Sequence, residues 1–287
     1  MSLFLISFLL IYGSFHLYFF LKIKAAYTLP TWFLLLLAFF LLLMIAAPIL
    51  VRISERSGYD QLAMLLAYIG YIWMGLVFLF AAAALAVDCY RIIIWCAGLI
   101  LHKKILFQLS PKAAFYLPVI FSLFVSVWGA FEAWDIRLEK VTLASDKIPV
   151  HLSGLRIVQI SDVHLGLIVR HKRLAKILAV VKEAKPDILV STGDLVDGQI
   201  NNLKGLAEML GEINPRYGKY AVTGNHEFYA GLNESLAFTE KAGFTVLRHS
   251  GVIVADLFNV AGVDDATRQY FSKQEMPSEK DMLQLLD

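Results

Sequence analysis

The segment LRIVQISDVHLG, residues 155–166, joins a compact, β-rich apolar run to an aspartate and a histidine two positions apart. Leu155–Ser161 has the character of a buried strand. Asp162 and His164 follow at its carboxyl end, the edge at which open α/β sheets bind ligands. An Asp-x-His spacing lets both side chains leave an extended segment on the same side, because strand side chains repeat with period two. Working outward, Lys172–Ala184 carries Leu174, Ile177, Leu178 and Val181 at helical spacing. Asp187–Ser191, entered through Pro186, predicts the next strand, Leu203–Ile213 a helix, Lys219–Thr223 a strand and Leu232–Ala242 a helix. Phe244–Leu247, Gly251–Ala255 and Leu257–Ala261 are three short β-like runs that close on Gly262. Such alternation of strands and helices means an α/β domain built around a sheet. Ahead of it, residues 135–150 form a linker whose alternating stretch Ile136–Leu143 suits an edge strand. Ser278–Leu286 looks like the start of a further helix.

Polar residues gather at the carboxyl ends of the first three strands: Asp162-Val163-His164, then Gly193-Asp194, then Gly224-Asn225-His226-Glu227. Each motif is commonplace alone. Their joint occurrence, in order and each directly after an apolar strand, points to a metal site. Carboxylate, imidazole and amide oxygen form a ligand set that suits Mn²⁺, Fe or Zn²⁺ with open positions. The glycines let backbone approach the metals closely.

The amino-terminal part differs in kind. Residues 1–134 hold 8 Lys/Arg and 4 Asp/Glu, against 18 and 20 in residues 135–287. A bilayer core needs about 20 mostly apolar residues per helix. Four stretches qualify: residues 3–21, 31–51, 62–87 and 113–134. Ile92–Leu101 is too short to span alone and either prolongs the third helix or lies along the surface; a fifth span is the minority reading. His16 is the ionisable residue near the centre of a span, and it reads as a structural or interfacial side chain. A transporter or proton pump usually shows several such groups, so the region 1–134 reads as a multi-pass anchor. Loops 22–30 and 88–112 carry Lys22, Lys24, Arg91, Lys103, Lys104 and Lys112, which makes that side cytoplasmic and the soluble domain extracytoplasmic. A net charge of +2 argues against a nucleic-acid partner, which calls for a basic face. Cys89 and Cys96 lie seven residues apart on one apolar stretch, about 10 Å along a helix axis, too far to form a disulfide.

The three motifs, within QISDVHLG, STGDLVDG, YGKYAVTGNHEFYAG and AGVDD, resemble those of the calcineurin-like metallophosphoesterases, and within them the membrane-anchored group. The resemblance covers roughly residues 155–265. It implies a domain at 151–287 of two packed sheets flanked by helices, and a hydrolase that cleaves phosphoesters with water activated by two divalent metal ions. By position, Asp162 and His164 would bind the first metal, Asp194 would bridge both, and Asn225 would bind the second. His226 resembles the family's catalytic histidine, and Glu227 sits where an acidic residue orients it.

The family pattern continues with another histidine and a Gly-His-x-His segment. After His226 this chain has His249, in Leu247-Arg248-His249-Ser250, which reads as a surface or strand-end residue. The expectation is therefore a domain truncated at its carboxyl end, with four of about seven protein ligands present and a sheet edge left open. A membrane anchor suits a lipid-linked phosphoester or pyrophosphate, beside which a soluble phosphomonoester or nucleotide and a phosphodiester stay open. Tyr217, Phe228, Tyr229 and Phe238 could form an apolar lip, but most of them read as core or sheet-packing residues. Two other classes of function stand beside the enzyme: a catalytically inactive, membrane-anchored pseudo-phosphatase acting as a binding protein, and a channel or transporter with a regulatory soluble domain.

Overall fold

The computed structural model describes residues 2–102, 108–144, 154–198, 203–255 and 258–271. The chain divides into two compact units, Met1–Asp135 and Ile136–Asp287.

The first unit contains helices α1 (Ser2–Ala26), α2 (Thr31–Arg56), α3 (Asp60–Leu101) and α4 (Pro111–Trp134), each long and apolar enough to cross a membrane. Ser110 caps α4 by accepting the Ala113 N–H at 3.2 Å, and Pro111 occupies the first helical position, where its missing N–H costs nothing. Residues 92–101 continue α3 without a break, so its 42 residues run about 63 Å at ~1.5 Å per residue. Small residues let α2 and α3 approach closely: a Cβ on Gly70 would stand 2.8 Å from the Ala47 Cβ. Large apolar side chains such as Leu35, Phe39, Ile93 and Phe131 face outward, an arrangement that suits lipid and would be a large sticky patch in water. His16 is buried inside this unit. Trp73 Nε1 donates to its Nε2 at 2.9 Å, which leaves Nδ1 as the protonated nitrogen, 2.8 Å from the Tyr12 carbonyl. It acts as a cross-link between α1 and α3.

The second unit holds β1 (Ile157–Ile160), α5 (His171–Ala184), β2 (Ile188–Ser191), α6 (Leu206–Gly211), β3 (Lys219–Ala221), α7 (Asn225–Ala230), α8 (Leu232–Lys241), β4 (Thr245–Val246), β5 (Ser250–Val254), β6 (Phe258–Gly262) and α9 (Arg268–Phe271). Strands β1 to β4 form a parallel sheet in the order β1-β2-β3-β4, and β5 and β6 form an antiparallel pair. Every step through the parallel sheet goes the same way. Right-handed crossovers therefore carry the connecting helices to one face. The core there joins Leu174, Leu178 and Val181 of α5, Leu206 and Leu210 of α6, and Phe238 of α8 to Ile160, Leu189 and Ala221 of the strands. The fold is thus an α/β arrangement of sheets flanked by helices.

Three sequence expectations are corrected. Residues 136–143 form no strand; Val141 and Leu143 are exposed, with no described strand beside them to satisfy a ladder. The expected helix at 203–213 is confined to Leu206–Gly211. Asn225, His226 and Glu227, read as part of a strand-end turn, open α7 (Asn225–Ala230), because the Glu227 carboxylate accepts the Gly224 N–H at 2.7 Å and caps the helix. The expected helix at 278–286, residues 145–150 of the linker and Leu257 lie outside the described residues.

Candidate functional site

Beyond the ends of β1 and β2 the two chains stay in register through backbone hydrogen bonds. The Asp162 N–H donates to Gly193 O at 3.3 Å, His164 to Asp194 O at 2.9 Å and Leu165 to Leu195 O at 2.9 Å. The turn after β3 closes on the turn after β2. Gly193, at φ +105°, leaves no room for a side chain: its Cβ would stand 2.6 Å from the Gly224 nitrogen. A Cβ on Gly224 would collide with the Asp194 carboxylate. These two glycines permit the approach that brings the motifs together.

Asp162, His164 and Asp194 all adopt left-handed backbone, with φ of 52°, 50° and 50°. Each such non-glycine residue stores roughly 1–3 kcal/mol of strain, and strain of that kind concentrates at functional sites. The Asp-x-His pair thus meets through strained turn geometry and not through the extended period-two backbone expected from its spacing. His164 Nε2 stands 4.0 Å from Asp162 Oδ1 and 3.9 Å from Asp194 Oδ2. One ligand atom from each of the three lies within 4.8 Å of the others, and His164, Asp197 and His226 form a second such group. Two carboxylates at that separation repel by about 3 kcal/mol at an effective dielectric near 20, less where solvent reaches them. Asp162 is mostly solvent-exposed at 69%. A divalent cation turns this repulsion into binding, and the oxygen and imidazole donor set fits one with open positions.

The His226 ring packs edge-on against His164, with centroids 4.4 Å apart. Its Nδ1 lies 3.0 Å from Asp197 Oδ1, and its backbone N–H donates to Asp194 Oδ1 at 2.9 Å. The carboxylate at the histidine ring is therefore Asp197 and not Glu227. Its signal was present in the sequence as the second aspartate of Gly193-Asp194-Leu195-Val196-Asp197. Glu227 is buried and accepts backbone N–H groups from Asp194 at 3.0 Å, Leu195 at 2.9 Å, Val196 at 3.3 Å and Gly224 at 2.7 Å. It holds two site turns together. Asn225 opens α7, half-buried, between Gly224 and His226.

Of the four aromatic residues weighed as lip or packing groups, Tyr229 is exposed with its ring 5.9 Å from His226. Phe228 and Phe238 are buried, and Tyr217 packs on Phe258. His249 precedes β5, but its side chain is only 7% exposed, so it is not a surface residue. Its ring nitrogens have no hydrogen-bond partner among the described residues.

Residues 155–285 match the family model of the calcineurin-like phosphoesterases. Among curated relatives, an uncharacterized metallophosphoesterase of Aquifex aeolicus is 42% identical over 163 residues, 57% of this chain and 62% of the relative. A transmembrane protein with metallophosphoesterase domain from Danio rerio is 35% identical over 157 residues, 52% of this chain and 36% of the relative. An uncharacterized metallophosphoesterase of Campylobacter jejuni is 26% identical over 273 residues, 89% of this chain and 68% of the relative. The chain therefore spans between about a third and two thirds of these relatives' lengths. No solved structure matches it significantly.

Proposed function

From a chain that carries a calcineurin-like phosphoesterase domain at residues 155–285, we propose a membrane-anchored, metal-dependent hydrolase of phosphoesters. The observation that carries this reading is the convergence of the Asp162, His164 and Asp194 ligand atoms within 4.8 Å, beside His226. In this reading Asp162, His164, Asp194 and Asn225 would hold the divalent ions, with Asp194 as the carboxylate common to both sites. When bound, such ions supply the positive charge that clamps a phosphate and acidifies the attacking water.

The protein's own groups do the rest. Asp197 accepts from Nδ1 of His226 and sets the ring so that Nε2 is the free edge. From there a protonated His226 donates to the departing oxygen, assistance worth about 10²–10⁴-fold. Glu227 acts at one remove, by fixing the backbone on which Asp194 and His226 sit. Tyr229 flanks the same ring and offers an apolar surface to the group that leaves.

We take a lipid-borne phosphoester or pyrophosphate as the substrate class, because the domain is covalently tethered to four helices able to cross a membrane. The basic residues Lys22, Lys24, Arg91, Lys103, Lys104 and Lys112 support a reading in which their side is cytoplasmic and the domain lies outside the cytoplasm. Protease digestion of the domain in intact spheroplasts supports this sidedness, and digestion in inverted vesicles alone reverses it.

The test is hydrolysis by the full chain in detergent, with Mn²⁺ added to metal-free protein. Substrates are p-nitrophenyl phosphate, its diester, and a lipid phosphate in mixed micelles. Metal-stimulated release that Asp194→Asn abolishes together with Mn²⁺ binding supports the assignment. A protein that binds Mn²⁺ tightly yet releases product from none of them is a binding protein that keeps the fold.

A further inference from the structure

We infer that Asp264 is a positioning residue of the site: held by two arginines, it fixes Thr223 and through it the turn bearing Asn225 and His226. The inference rests on the phosphoesterase reading above for its catalytic consequence, while its structural part stands apart from it.

The Asp264 side chain is 0% exposed. Its Oδ1 accepts from the Thr223 hydroxyl at 2.9 Å and from Arg248 Nε at 2.8 Å. Its Oδ2 accepts from Arg248 Nη2 at 2.8 Å and Arg268 Nη1 at 3.2 Å, and His249 Nε2 stands 3.9 Å away. A carboxylate fully removed from water persists only when it is paired, and burying an ion pair is a poor way to gain stability. Such a group makes more sense as a device that specifies geometry, and its remaining bond is the informative one. Thr223 is buried and immediately precedes Gly224-Asn225-His226.

The turn is held from the β2 side as well, by Glu227 accepting the Gly224 N–H and by Asp194 accepting the His226 N–H. Asp264 grips it independently, through the Thr223 hydroxyl. It follows β6, and Arg248 comes just before β5. The two-stranded sheet and α9, through Arg268, are thereby fastened to the turn. Without the Thr223 link, Asn225 and His226 would be placed only by α7, a helix of 6 residues, and by the bonds to Asp194 and Glu227.

The discriminating variants are Thr223→Val, which keeps shape and removes the hydroxyl, and Thr223→Ser, which keeps the hydroxyl. Both leave the buried carboxylate in place and so avoid the failure to fold that Asp264→Asn risks. The first readout is hydrogen exchange of the full, metal-free chain in detergent. The amides of residues 224–227 exchange about tenfold or more faster in Thr223→Val, those of β1 and β2 are unchanged, and Thr223→Ser stays close to the wild type. The second is Mn²⁺-dependent turnover. Misplacement of about 1 Å costs up to about a hundredfold, so kcat falls at least about tenfold in Thr223→Val with KM little changed. Unchanged exchange at 224–227, faster exchange throughout the domain, or normal kcat in Thr223→Val each overturns the inference. If the wild type hydrolyses nothing, the phosphoesterase reading fails and the exchange experiment alone decides the structural link.

Discussion

Asp197 Oδ1 lies 3.0 Å from Nδ1 of His226, and the His226 ring packs edge-on against His164 at a centroid distance of 4.4 Å. The pair can act in two ways: as an oriented general acid or as two ligands of an ion shared with His164. Metal content separates them. His226→Ala lowers kcat by about 10²–10⁴ if the ring supplies the proton, while Mn²⁺ stoichiometry by elemental analysis stays near that of the wild type. Asp197→Ala, which frees the ring without removing it, costs less, about 10–10² in kcat. Loss of metal in His226→Ala would falsify the proton-donor role and make the ring a ligand.

Much of this arrangement was legible from the residues, because it depends on local patterns. Apolar runs with helical or strand periodicity placed β1, β2, β3, α5 and α8 within a few residues. The three polar motifs at their ends met where the topology of an open α/β sheet requires. What stayed hidden depends on contacts distant in sequence. Nothing local tells that Glu227 caps α7 while gathering the N–H groups of residues 194–196, or that Asp197 and not Glu227 reaches the His226 ring. His249 read as a surface or strand-end residue; it does sit just before β5, but the packing beside Asp264 buries its side chain. The alternating stretch 136–143 had the right pattern for a strand but found no strand to pair with among the described residues.

Glu227 is a buried carboxylate that accepts four backbone N–H groups at 2.7–3.3 Å. Hydrogen bonds to a charged group are worth about 1.5–3 kcal/mol each, and a buried donor left without a partner costs about 1–3 kcal/mol. Glu227→Gln keeps the shape but turns an NH₂ toward donors that need an acceptor. The variant is expected to lose about 2–4 kcal/mol, read as a lower melting temperature of the domain. Exchange of the Leu195 and Gly224 amides should rise more than that of α5. A melting temperature equal to the wild type would mean that water replaces the carboxylate at no cost.

Asp264 links stability to acidity. Burial pushes its carboxyl up, but hydrogen bonds from Arg248 and Thr223 and the charges of Arg248 and Arg268 outweigh it and hold the group below its ordinary 3.8. A folded value below the unfolded one means that this stabilisation is fully present above the unfolded value and is lost as pH falls through the folded one. Asp264→Asn should therefore melt well below the wild type at neutral pH, and the gap should close as the pH is taken below 3.8. Parallel melting curves at pH 7 and pH 3 would show that the carboxylate contributes packing and no charge.

In the helical unit, Lys22 Nζ of α1 lies 2.5 Å from Asp88 Oδ1 of α3, and Tyr18 donates to Asp88 Oδ2 at 2.6 Å. Lys22 is buried and Arg91 stands 3.6 Å from the same carboxylate. Removing one partner of a fully buried pair strands the other and costs about 3–5 kcal/mol, less here because the Asp88 side chain is 29% exposed, whereas replacing both by apolar groups is often close to neutral. Asp88→Ala should lower the melting temperature of the helical unit in detergent, and Lys22→Met with Asp88→Leu should recover most of that loss. The coupling between the two positions, taken from the double-mutant cycle, isolates the pair from the packing around it. A double variant as unstable as Asp88→Ala alone would show that Tyr18, and not Lys22, is what Asp88 holds in place.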